Sequence, residues 1–169
     1  MSATSERDRV NSLAKSDSRK ALAKARGIDE AWFRAQALAW VARFADEDPR
    51  GIAREAAKAA GECDDAYKRS AVRAWEIAAL AEREFKAEAR ESLGEAVALG
   101  EEVTPISSRS EALYLLLQAA CRIGAKEAKG VYEVLVAACP VEAHWRCKRA
   151  VRDGGKIIAG ELKPRVFFW

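Results

Sequence analysis

Basic residues recur in pairs four apart, Lys15 with Arg19, Arg50 with Arg54 and Lys86 with Arg90, followed by Lys126 with Lys129 three apart. Residues at these spacings share one face of a helix, so each pair sets two cations side by side, an arrangement suited to phosphates or to an acidic protein surface. Glu55, Glu88 and Glu91 lie close enough to offset part of that charge by local ion pairs. Aromatic residues near the pairs are sparse, so the platform on which single-strand binders stack bases is missing. A second cluster, Cys139, His144 and Cys147, has the spacing C-x4-H-x2-C, and Cys121 or Cys63 would complete a tetrahedral zinc site. That spacing is none of the strong zinc signatures, and cysteines at alanine-like positions serve as core fillers. His144 is the single histidine, with no nucleophile beside it, and neither a glycine-rich phosphate loop nor a nucleophile elbow occurs. The expectation is no catalytic residue, no metal and no cofactor.

The elements that position these residues are helices. The 169 residues include 36 Ala but only two Thr and four Pro, which is the composition of an all-α chain rather than a sheet protein. The chain is long enough to bury a core without disulfides or metal, and its four cysteines are expected as free thiols. Val10, Leu13, Ala14, Ala21, Leu22 and Ala25 follow a helical spacing in the first 26 residues, with Ser16 or Asp17 as a cap. Asp29 is expected to cap a helix from Glu30 to Ala45 that is apolar nearly all round, with Gln36, Arg43 and Glu47 as its narrow polar stripe. Further helices are expected at Pro49 to Ala60, from Asp64 or Asp65 to Glu82, and at Phe85 to Leu99 with Gly100 as the stop. Ser107 or Ser108 should cap the most hydrophobic helix, around Leu113 to Leu117, which reads as the central core element. Lys126 to Cys139 and Glu142 to Asp153, halted by Gly154 and Gly155, complete the set. Val166, Phe167, Phe168 and Trp169 form an apolar tail that should dock, preferably on its own chain.

Two anchors give one repeat. Arg34, Arg69, Arg109 and Arg146 are spaced by 35, 40 and 37 residues, each followed by a small residue, and Arg19, Arg54, Arg90 and Lys129 by 35, 36 and 39. About four units of 35 to 40 residues follow. An arginine on an apolar face needs a partner, most simply a capping Asp, so Arg34 and Arg109 read as a structural ladder. Asp29, Arg34, Ala37 and Leu38 at the head of the first unit, Asp65 and Arg69 in the second, and Arg109, Ala112 and Leu113 in the third resemble the HEAT-like (armadillo-type) α-helical repeat family. The resemblance implies a right-handed α-α superhelix, a short α-solenoid, over one domain, residues 1–169. Its parts are an N-terminal cap at 1–28, repeats at 29–64, 65–105 and 106–141, and a C-terminal cap with the tail at 142–169. It also implies that second helices line the concave side, stacking the basic pairs into a ladder, and that function is open. HEAT-like DNA glycosylases hold damaged duplex with Trp, Asp and Arg, but Trp32, Trp40 and Trp75 sit at core spacings, unlike a binding row.

Net charge is +3, yet residues 143–169 carry seven Lys/Arg against two Asp/Glu, which points to an anionic partner near that end. No apolar run reaches the ~20 residues of a membrane span and no secretory leader is visible, so a cytoplasmic location and a monomer or weak homo-oligomer are expected. The functional expectation is a non-enzymatic interaction module binding an acidic protein partner through the basic second helices. The alternative is nucleic-acid binding or DNA repair with the same ladder.

Overall fold

The computed structural model describes residues 1–140 and 144–169, and among these all regular structure is helical. The helices are α1 (Ala3–Ala14), α2 (Ser18–Arg26), α3 (Ala31–Phe44), α4 (Pro49–Gly61), α5 (Ala66–Ala71), α6 (Arg73–Glu82), α7 (Lys86–Glu101), α8 (Ile106–Ile123), α9 (Ala125–Ala138) and α10 (Trp145–Ile158). The expected start of the last helix at Glu142 lies outside the described residues. No helix among those described is long and apolar enough to cross a membrane.

Packing follows chain order. One layer runs α1 on α3, α3 on α6, α6 on α8 and α8 on α10; the helices α2, α4, α7 and α9 lie over it, each packing on the helix before it and on the next helix of the first layer. The first layer is close because its contact faces are small: Ala35, Ala37, Ala39 and Ala42 on α3 and Ala74, Ala78, Ala79 and Ala81 on α6 are all buried. Among the second-layer helices, α7 and α9 make only slight contact. α8 is the central element, with Leu113, Leu116 and Leu117 fully buried and α5, α6, α7, α9 and α10 around it.

Arg34, Arg69 and Arg109 share one role. Arg34 donates to the carbonyls of Ile28 (2.6 Å) and Asp29 (2.8 Å), Arg69 to those of Cys63 (2.8 Å) and Asp64 (3.2 Å), and Arg109 to that of Val103 (2.9 Å). The acceptor six residues back is in each case the carbonyl of a buried apolar residue in the loop, so the guanidinium satisfies backbone oxygens that the chain reversal leaves free. The expected partner, a capping aspartate side chain, is replaced by these carbonyls, and Arg34 additionally pairs with Glu62.

Several expected boundaries move. α3 starts after Glu30 without a side-chain cap, not from Asp29, and α8 follows Pro105 with no cap from Ser107 or Ser108. The helix expected to run unbroken to Glu82 is split at Val72 into α5 and α6. Gly100 lies inside α7 rather than ending it, because a Cβ there would stand 3.0 Å from Ser70 Oγ and 3.1 Å from Leu113 Cδ2; it is small for close approach. Gly154 and Gly155 lie within α10 for the same reason, against the Tyr132 ring. Gln36 is buried rather than in a solvent stripe, and accepts a hydrogen bond from Arg7 (2.8 Å).

The tail docks on its own chain. After α10 the chain turns through Gly160 and runs back across the first layer. Arg165 N–H donates to Gln118 Oε1 (3.0 Å), and the Arg165 carbonyl accepts from Arg122 (2.7 Å). Phe167 packs edge-on to Trp75 at 5.6 Å, Phe168 does the same to Trp40 at 5.4 Å, and Lys15 donates to the Trp169 carbonyl. Phe167 is 1% exposed while Val166 is 58% exposed, so the tail is anchored by its aromatic rings and not by Val166. Phe167→Ala is therefore expected to destabilise the fold by about 3–5 kcal/mol in urea unfolding, and Val166→Ala by no more than about 0.5 kcal/mol.

Candidate functional site

The structure distributes the eight basic residues singled out by spacing over several environments. Lys15 caps the C-terminus of α1 rather than sitting on a second-layer helix, and its ammonium lies over the Trp40 ring at 5.7 Å while holding the tail. Arg19 pairs with Glu47 in the loop before α4. Arg50 reaches Glu88 on α7 (3.2 Å), Arg90 reaches Glu127 on α9 (2.6 Å), and Lys86 approaches Glu84 (3.6 Å). Arg26, outside the set, makes a bidentate pair with Glu55 on α4 at 2.8 and 2.7 Å. Arg54, Lys126 and Lys129 are exposed and have no carboxylate in ion-pair distance among the described residues.

These pairs run in one sense, arginine of one second-layer helix to glutamate of the next or its lead-in. The result is a rail of alternating charge that spans the gaps between helices with little direct contact. The hydrogen bonds from Arg26 and Arg90 hold the Glu55 and Glu127 carboxyls below their usual range. The pairs are largely solvent-exposed, so water and salt screen them and each contributes little to stability. Their main effect is on the field outside: much of the row's positive charge is neutralised within the chain.

Between α4 and α7 the small side chains of Ala53 and Ala57 leave a cleft of about 220 Å³ whose floor is α6. There Arg73 makes two bonds to Glu76, 2.8 and 3.0 Å, and a third to Glu95 at 3.0 Å. Both Arg73 and Glu76 are buried. Burial pushes the Glu76 carboxyl above its usual range against the opposing pull of Arg73. The break at Val72 separates this pair from Arg69, so α5 keeps the loop-capping register while α6 turns its polar side to α7.

The other polar surface lies at the opposite end of the first layer. α10 buries Cys147, Ala150, Gly154 and Ile157 and turns Trp145, Arg149, Arg152 and Lys156 outward at i, i+4, i+7 and i+11. Arg149 pairs with Glu111 and Arg152 with Asp153 (2.8 Å); Arg146, Lys148, Lys156, Lys163 and Arg165 have no carboxylate partner among the described residues. Beside α10 is a hollow of about 380 Å³ lined by Tyr67, Ser108, Glu111, Trp145, Arg146 and Arg149. Trp145 is 58% exposed, and the Arg146 and Arg149 guanidiniums lie 5.5 and 5.4 Å from its ring centre. Sequence spacing singles out Arg146 as the fourth repeat arginine but passes over the others, because the lining comes from three helices; the clue available there was the cationic excess of residues 143–169.

Trp40 and Trp75 are buried, and Trp32 is half-buried against Tyr67. Among the described residues no group of three or more His, Cys, Asp or Glu is placed to hold a metal. His144 instead caps α10, its Nδ1 accepting from the Arg146 N–H at 3.2 Å. Cys147 is buried, and burial, together with Cys147, pushes the Cys139 thiol up to about 12, so it stays protonated at neutral pH. No protein-family model matches the chain, and neither a curated protein nor a solved structure does.

Removing Glu76 leaves the buried Arg73 guanidinium with Glu95 at the cleft wall as its one carboxylate among the described residues, whereas removing both members leaves no buried charge. Glu76→Leu is expected to lower the unfolding free energy by about 3 kcal/mol or more, and Arg73→Met with Glu76→Leu to recover most of the loss, read by a double-mutant cycle in urea.

Proposed function

We propose that the chain is a non-enzymatic, HEAT-like helical-repeat module, a short right-handed α-α superhelix of about four hairpins, that binds an acidic protein partner. The common role of Arg34, Arg69 and Arg109 supports the repeat, since three loops closed by the same arginine-to-carbonyl bond are what a duplicated unit leaves. The closely packed α1, α3, α6, α8 and α10 would form the inner side of that superhelix and the less closely packed second layer the outer side, reversing the face expected from sequence.

The observation that carries the reading is that unmatched cations flank an exposed aromatic ring beside α10. Among the described residues, Arg19, Arg26, Arg50, Lys86 and Arg90 of the second-layer helices pair with glutamates, whereas Lys20, Lys24, Arg54, Lys58, Lys126 and Lys129 do not and have no exposed ring beside them. Around α10 Arg146, Lys148 and Lys156 are unmatched among the described residues, next to an exposed Trp. Cations with an aromatic anchor are the composition of a protein-binding surface. The partner therefore sits chiefly on α10, with Arg54, Lys126 and Lys129 as a secondary contact.

Fluorescence anisotropy with a fluorescein-labelled oligoglutamate measures this directly. Binding should weaken with salt, fall about tenfold in Lys148→Glu with Lys156→Glu, a change of about 1.4 kcal/mol, and fall less in Arg54→Glu with Lys126→Glu. Duplex DNA that binds with a steep salt slope where the peptide does not would replace this reading with the nucleic-acid one.

A further inference from the structure

The first turns of α3, α5 and α10 each carry an aromatic ring, and the first turn of α8, between α5 and α10, carries none. Trp32 in α3 and Tyr67 in α5 stack with centroids 6.3 Å apart and planes 21° from parallel. α10 opens with Trp145, and α8, which packs between α5 and α10, has Ser107 and Ser108 in its first turn. The hollow beside Ser108 lies where that ring is missing, with Tyr67 and Trp145 both among its walls.

We infer that this hollow receives an aromatic side chain carried by an acidic segment of the partner. This rests on the acidic-partner reading above and names its anchor. Its volume of about 380 Å³ accommodates a phenyl or phenol ring, and its aromatic walls offer the edge-to-face and offset contacts that rings prefer. The Arg146 and Arg149 guanidiniums at the Trp145 ring favour the position in which it walls the hollow. Arg146, unmatched among the described residues, stands at the rim and suits a carboxylate flanking the incoming ring. Glu111 in the same wall is neutralised by Arg149, which keeps the hollow from repelling an acidic segment. Tyr67 is largely buried, which pushes its hydroxyl above the usual range and keeps it neutral beside the ring.

The test uses the full chain and two blocked peptides, a glutamate-rich sequence with one central Phe and the same sequence with Ala there. The Phe peptide should bind about 10–30-fold more tightly, as a buried aromatic anchor does. Ser108→Phe, which fills the gap from within on an accessible helix turn, and Trp145→Ala should each abolish that advantage. Ser108→Phe should not change the affinity for the Ala peptide by more than about twofold. Equal affinity for the two peptides overturns the inference and leaves the acidic-partner reading standing; binding of neither peptide overturns both. Tight binding of a single-stranded oligothymidylate that is lost in Trp145→Ala assigns the hollow to a nucleobase and overturns the inference as well.

Discussion

α3 and α6 are apolar around most of their circumference, and the rest of the chain is arranged to cover them. Alanines let α1, α3, α6 and α8 approach closely on two sides, and α4 and α7 close a third. The remaining side, where Trp40, Phe44 and Trp75 present their rings, is covered by the tail. Leaving those three rings in water would expose a contiguous aromatic patch of the kind that drives aggregation. Burial of Phe167 alone contributes about 1.5–3 kcal/mol, and the backbone bonds through Gln118 and Arg122 fix the register in which it is delivered. The tail is thus part of the core.

Charge is organised by the same economy of layers. Where second-layer helices do not touch, arginines reach from one to the next, so the gaps are bridged by ion pairs in place of apolar contact. That use of arginine takes Arg19, Arg50 and Arg90 out of the row that stands out in the sequence. Near α10 cations unmatched among the described residues remain at the surface beside Trp145. The buried Arg73–Glu76 pair is a third use: two opposite charges satisfy each other inside the fold, with Glu95 completing the arginine's bonds at the cleft wall. An ion pair of this kind is costly to break and cheap to replace, so its value lies in fixing how α6 faces α7.

The amino-acid sequence by itself determined the helical class, the central place of α8, the repeat of Arg34, Arg69 and Arg109, and the need for the tail to dock. These follow from local quantities: alanine content, apolar periodicity, spacing, and an apolar segment that water does not tolerate. Tertiary structure alone decided what each charge meets. Arg34 bonds to carbonyls six residues back, and that acceptor is exposed only once the loop has its shape. Gly100, Gly154 and Gly155 read as stops because glycine ends helices more often than it joins them, yet here neighbouring side chains leave no room for a Cβ. Arg50 and Arg90 were legible as a basic row, but the glutamates that neutralise them lie 38 and 37 residues away in sequence. The hollow beside Trp145 was illegible for the same reason, since its walls come from α5, α8 and α10 and only packing brings Tyr67, Ser108 and Trp145 together.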